Sequence, residues 1–154
     1  MVDKSLKLCY HHSMMNWSYV SGLFDGEGSM GLASEARSPQ SIIPYMTIAQ
    51  SEKHRGFRVM VEMASFLQTQ GIKMHLDIYD QRGPKVAASG IAYTRNYRTM
   101  RGTIRSYHNV LLMLNNLIPH LVVRKNSAED LRRFLLLFPP RTGPYARMYN
   151  KTKH

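Results

Sequence analysis

The chain has a single cysteine, Cys9, so it can build neither an internal disulfide framework nor a cysteine-ligated zinc site. It also lacks any apolar run near the ~20 residues of a membrane-spanning helix. The longest candidates, such as Phe134 to Phe138, are the size of one helix face. Met1-Val2-Asp3-Lys4 leads into no signal-like apolar stretch with a small-residue cleavage site, and the expectation is a soluble, intracellular protein. No internal repeat is visible. His11, His12, His54, His75, His108 and His120 show neither HExxH nor ββα-metal spacing, so isolated histidines are the simpler reading. The most telling absence is acidic. Between Gln81 and Ala128 there is no Asp or Glu, while Arg82, Lys85, Arg95, Arg98, Arg101, Arg105, Arg124 and Lys125 fall in the same stretch.

What is present fits one domain of 154 residues, with 44% hydrophobic residues to supply a core. The formal net charge is +11. A field of one sign attracts a polyanion, and neutralising phosphates releases counterions. The same excess could serve solubility or an acidic protein partner. Aromatic and amide side chains interleaved with the cations turn the reading toward nucleic acid.

Apolar spacing at Trp17, Val20, Leu23 and Phe24 predicts a helix from about Asn16, its N-cap, to Gly26. The pattern then turns extended to about Gln50, with the polar stretch Ser34 to Ser41 separating two strands of a hairpin. Pro44 in the second strand argues for a sheet edge or a bulge. Ser51 is placed to cap a second helix with Met60, Met63, Ala64 and Leu67 as its buried stripe and Gly71 as its stop. A strand is expected over about Lys73 to Asp80, a loop over Gln81 to Gly90, and extended chain from Ile91 to about Arg105 with a turn near Met100 to Gly102. Val110, Leu111, Leu114 and Ile118 line a third helix ending at Pro119. Ser127-Ala128-Glu129-Asp130 resembles a capping box opening a fourth, with Leu131, Phe134, Leu135 and Phe138 on its apolar face. The order is helix, two strands, helix, two strands, two helices, an α+β domain. Residues 1–15 form a lead-in, 16–138 the domain, and 139–154 a basic tail.

The informative segment is Tyr19-Val20-Ser21-Gly22-Leu23-Phe24-Asp25-Gly26-Glu27-Gly28-Ser29. Ser18, Gly22 and Gly26 recur every four residues and share one helix face on which two backbones can approach closely. Asp25 and Glu27 stand where the helix ends, near the negative end of its dipole, which disfavours a carboxylate. Pairing two such helices would bring carboxylates together, and a cation would relieve their repulsion. Hard oxygen ligands beside hydrated space suit Mg²⁺, which can activate water and stabilise the leaving oxygen of a phosphodiester. Taken alone, Asp25-Gly26-Glu27-Gly28 reads more readily as a hairpin turn with Glu27 solvated.

The whole string resembles the LAGLIDADG signature of homing endonucleases: Val20 to Gly28 matches it position by position, with Ser21 and Gly26 keeping residues small and Glu27 keeping the carboxylate. The resemblance covers about Trp17 to Phe138. It implies an αββαββα fold with a curved antiparallel DNA-binding sheet and an additional C-terminal helix. It further implies a homodimer in which each chain supplies half of an active site, with Mg²⁺ (or Mn²⁺) as cofactor. The partner is double-stranded DNA, cut at a pseudo-palindromic site on the order of 20 base pairs to leave short 3′ overhangs during intron or intein homing.

By that resemblance, Glu27 is the essential metal ligand and the Gly26 carbonyl assists it. Asp25 is structural, capping the partner helix across the dimer. The interface is formed by Ser18, Ser21, Gly22, Asp25 and Gly26. Gln50, closing the second strand, resembles the residue that organises water around the nucleophile, although a strand-end amide is an ordinary feature. A basic residue follows the third helix in the family; Arg124 aligns best and Lys125 competes with it. Outward strand residues would contact DNA: Ser34, Arg37, Gln40, Tyr45, Thr47, Tyr79, Gln81, Arg82, Lys85, Tyr93, Arg95, Tyr97, Arg101 and Thr103, about half of which a slip of face would exchange for neighbours. The other function open to the scaffold is a non-cleaving RNA maturase or DNA-binding regulator. Retention of Glu27, Gln50 and a cation at Arg124 or Lys125 speaks against it.

Overall fold

The computed structural model describes residues 15–35 and 38–140. The lead-in before Met15, the basic tail from Arg141 and the Arg37 position lie outside the described residues. Helix α1 (Trp17–Glu27) opens as the sequence predicts, with the Asn16 side chain accepting from the Tyr19 N–H at 2.9 Å. Val20 and Phe24 are fully buried and anchor the helix in the core.

Strands β1 (Gly28–Glu35) and β2 (Ser38–Ser51) form the expected antiparallel hairpin, with an irregularity between Ser34 and Glu35. The second strand starts earlier than its apolar run suggests, because Ser38 already pairs with Glu35. Together with β3 (His75–Tyr79) and β6 (Thr99–Arg105) they build one sheet in the order β1-β2-β6-β3. Pro44 sits in a central strand, but at a point where β2 has one neighbour. Pro44 pairs with Leu32 of β1, whereas the ladder to β6 begins at Tyr45 opposite Arg105. The missing N–H therefore costs no ladder bond on the β6 side.

Ser51 does not cap the second helix. It ends β2, a 3₁₀ turn over Lys53–Arg55 intervenes, and α2 (Gly56–Thr69) begins at Gly56. A Cβ on Gly56 would lie 2.0 Å from the Ser51 carbonyl oxygen, so the chain doubles back too tightly for any side chain there. His54 and Arg55 adopt left-handed backbone (φ 51 and 64) to make the turn. Glu52 secures it by accepting from the Arg98 N–H at 2.8 Å and from Arg98 Nε at 2.9 Å. Met60, Met63 and Leu67 are fully buried as their spacing predicts. Gly71 (φ 79) closes α2 with its N–H on Gln68 O, while Ile72 N–H reaches Leu67 O.

The segment Gln81 to Gly90 is not simply a loop. Strand β4 (Gly83–Val86) pairs with β5 (Ala92–Arg95) as a separate two-stranded hairpin. The turn expected at Met100 to Gly102 is instead mid-strand in β6, and the break falls at 96–98. Gly102 is required by packing: a Cβ would meet Met74 Sδ at 2.6 Å and Met60 Cε at 2.9 Å. Helix α3 (Tyr107–Leu117) follows, then α4 (Lys125–Leu137), which starts before the predicted capping box and leaves Ser127 inside its first turn. The order among described residues is helix, two strands, helix, four strands, two helices. This remains α+β, with the helices on one face of the four-stranded sheet. Between them lies a core rich in methionine (Met46, Met60, Met63, Met74, Met100, Met113), an unbranched side chain that adapts to an uneven helix–sheet interface.

Candidate active site and nucleic-acid interface

The end of α1 is tied to the start of α4. Asp25 accepts from the Val122 N–H at 2.8 Å and from the Arg124 N–H at 2.9 Å, one on each carboxylate oxygen. Its position at the C-terminus of α1, unfavourable by that helix's own dipole, places it over the N-terminus of α4, where a carboxylate is favoured. Each carboxylate oxygen thus accepts a backbone hydrogen bond within its own chain. Burial pushes the Asp25 carboxyl up, but N–H donors from Arg124, Val122 and Val123, with the Arg124 charge, outweigh it and hold the group below its ordinary value. In return, Arg124 Nε donates to Phe24 O at 2.8 Å, a cation on the last carbonyls of α1.

Glu27, two residues on, is exposed and makes no hydrogen bond or ion pair among the described residues. The two acids of the motif are thereby separated by task, one consumed by backbone and one open to solvent. Lys125 is also exposed, at the first position of α4. Gln50 is half-buried, pairs with Met100 and has the strand parity of Ile48 and Met46, which places it on the helix side of the sheet. Gly28 pairs with Ile48, so Glu27 and Gln50 stand at the same end of the β1–β2 ladder.

Along α1, Ser18, Gly22 and Gly26 are exposed, and a Cβ on either glycine would meet nothing within 4 Å. Ser18 Oγ lies 3.2 Å from His120 Nδ1. Ser21 does not join this face. It is fully buried, and its hydroxyl donates to Leu117 O at 3.4 Å, because its position turns inward toward α3. Beside the open face, Val122 and Val123 are 82% and 77% exposed.

The second feature is the sheet face opposite the helices. Ladder register places Tyr45, Thr47, Arg101, Thr103, Arg105, His75, Asp77 and Tyr79 on it. A hollow of about 350 Å³ there is lined by Thr47, Lys73, His75, Asp77, Tyr79, Arg101, Thr103, Arg105 and Asn109. The Arg101 guanidinium stacks over Tyr79 at 4.7 Å from the ring centroid. A larger hollow, about 720 Å³, lies against α2 and contains no residue of the motif.

No family model matches the sequence, and no curated protein matches it. Solved structures do match. The homing endonuclease I-CvuI, in complex with its target, aligns over 80% of this chain and 67% of its own, with a TM-score of 0.53 at 12% identity. The meganuclease I-SmaMI, bound to uncleaveable DNA, aligns over 89% of this chain at TM-score 0.57 and 15% identity. The LAGLIDADG meganuclease I-CpaMI, bound to uncleaved DNA, aligns over 79% at TM-score 0.51 and 18% identity. The fold is the LAGLIDADG homing-endonuclease fold. This chain spans 38% of I-SmaMI and 36% of I-CpaMI.

Within the homing-endonuclease fold, the sequence-predicted contact residues divide into groups. Tyr45, Thr47, Tyr79, Arg101 and Thr103 share the open sheet face. Ser34 has the parity of Met30 and falls on the opposite side, at the exposed end of the hairpin. Lys85, Tyr93 and Arg95 belong to the β4–β5 hairpin, where Lys85 pairs with Tyr93, and Arg95 donates to Gln81. Arg82 is held by Asp80 at 2.6 Å, and this contact draws the Asp80 carboxyl down to about 2. Tyr97 lies under the Lys53 ammonium at 4.6 Å. Arg37 and the Gln40 side chain lie outside the described residues. Sequence reading missed Arg105, His75 and Asp77. Strict alternation from Thr103 and Tyr79 would have found them, and the turn expected inside β6 hid the first.

Proposed function

We propose that the chain is a site-specific, double-strand DNA endonuclease that acts as a homodimer, with α1 of each protomer meeting along Ser18, Gly22 and Gly26. The observation that carries the reading is the division between the motif's acids: Asp25 is spent on α4, while Glu27 stands unpaired at the exposed helix end beside the open glycine face. Among the described residues of one chain, no group of three or more His, Cys, Asp or Glu could hold a metal ion. At this helix end one protomer offers a single free carboxylate and the Gly26 carbonyl, a donor set that becomes adequate for a hard divalent cation when a second protomer and the DNA phosphates add theirs. The known structures of this fold bound to DNA support the polyanion as duplex DNA. The share of the longer meganucleases that one chain occupies leaves room in each for a second such unit.

Glu27 and the Gly26 carbonyl would hold Mg²⁺ or Mn²⁺, which when bound neutralises phosphate charge and lowers the pKa of water. Gln50, at the same end of the sheet, orients water near the scissile phosphate. The cation that steadies the phosphate is better supplied by Lys125 than by Arg124, whose Nε is committed to Phe24 O. The basic sheet face lies in the major groove, which admits a strand pair. The product is a double-strand break with short 3′ overhangs at a pseudo-palindrome on the order of 20 base pairs, consistent with intron or intein homing.

The test is a Glu27→Gln variant on duplexes selected by the wild-type protein in Mg²⁺. Cleavage should be lost while affinity for the same duplex is retained. Cleavage at the wild-type rate would refute the assignment, and binding of folded RNA in preference to duplex DNA by the wild type would favour a maturase.

A further inference from the structure

On the open sheet face the cations Arg101 and Arg105 stand among neutral Tyr and Thr side chains, with one acid beside them on β3. Asp77 is that acid, the only one that strand parity places on the β2, β6 and β3 part of the face. It stands directly opposite Arg101 across the β3–β6 ladder. Opposite charges in that relation have Cβ atoms about 5 Å apart and ordinarily close into an ion pair. Here they do not. Arg101 lies flat over Tyr79 at 4.7 Å, and Asp77 Oδ1 turns to His75 Nε2 at 3.2 Å. Each charged group faces a different neighbour, and the two make no ion pair with each other.

A carboxylate on a surface that meets phosphates repels its ligand, unless it accepts hydrogen bonds from that ligand. In the major groove the base-edge donors are the amino groups of cytosine N4 and adenine N6. The guanidinium beside it, stacked by its face, keeps its N–H edge free for the paired acceptors O6 and N7 of guanine. Guanine O6 and cytosine N4 lie side by side on one C·G pair. An A·T pair would give Asp77 its donor but offer Arg101 a single acceptor next to a methyl group.

We propose that Asp77 and Arg101 together read one C·G base pair in each half-site, Asp77 on cytosine and Arg101 on guanine. The inference rests on the proposed DNA-binding function and deepens it by naming a base. It carries its own discrimination, because a reversed pair sets the carboxylate against the acceptors of guanine and the guanidinium against an amino donor. The expected preference for C·G at that position is on the order of 10-fold or more.

The experiment is selection of bound sites from a fully randomised duplex library, run in parallel with the wild-type chain, Asp77→Asn and Asp77→Ala. The wild type should enrich C·G at one position and its symmetry mate. Asp77→Asn should move that pair toward A·T, since an amide suits adenine N6 and N7, and Asp77→Ala should flatten it, with every other position unchanged. Enrichment profiles identical in all three proteins would overturn the base assignment while leaving the DNA-binding reading intact. A wild-type profile with no enriched position would remove both.

Discussion

At the scale of single residues, two carboxylates two positions apart have opposite fates, and backbone geometry decides which. Asp25 points back over the 122–124 turn and is taken by N–H groups. Glu27 ends the helix in solvent. The depressed Asp25 pKa has a definite sign in stability. A carboxyl whose folded value lies below its unfolded value contributes fully above the unfolded pKa of about 4, and the contribution fades as pH falls through the lower folded value. A hydrogen bond to a charged acceptor contributes about 1.5–3 kcal/mol, less where solvent reaches it. Urea unfolding of wild type and Asp25→Asn over a pH series should therefore show a stability gap that is constant above about pH 5 and narrows below pH 4. A gap independent of pH would mean that the charge on Asp25 contributes nothing.

At the scale of elements, the passage from α1 into β1 is set by one close approach. A Cβ on Gly28 would lie 2.4 Å from Phe24 Cδ1 and 2.7 Å from Phe24 O, and Phe24 is fully buried, so it has nowhere to move. Gly28→Ala should lower stability by about 1–3 kcal/mol, read as a fall in the urea midpoint at unchanged slope. A midpoint equal to wild type would show that the handover is looser than these distances imply. Local signals made much of this legible in sequence. Asn16 and the apolar spacing fixed α1 within a residue, and Gly71 marked the end of α2 because its left-handed backbone is a local demand. The parity of Tyr45, Thr47, Arg101 and Thr103 also followed from the strands alone. What escaped depends on distant partners. Gly102 resembles a turn until Met60 and Met74 are seen filling the space of its missing side chain. Ser127 resembles a cap until Asp25, far away in sequence, is found over the start of α4. Ser21 matched the small residues of its helix but turns toward Leu117, which sequence spacing could not distinguish from the open face.

At the scale of the whole molecule, the proposed function makes one protomer half of a device. Its sheet presents a basic face to a ligand, and its helices cover the other side. The stripe of Ser18, Gly22 and Gly26, flanked by Val122 and Val123, is exposed, and in the proposed dimer it meets a second copy. On the proposed function, the free Glu27 is completed when two chains share a duplex. The most direct measurement is double-strand cleavage of a selected duplex by mixtures of wild-type and Glu27→Gln chains, refolded together at constant total concentration. If each cut needs a carboxylate from both protomers, the rate should fall as the square of the wild-type fraction. A linear fall would show that a single chain cuts alone and would contradict the account.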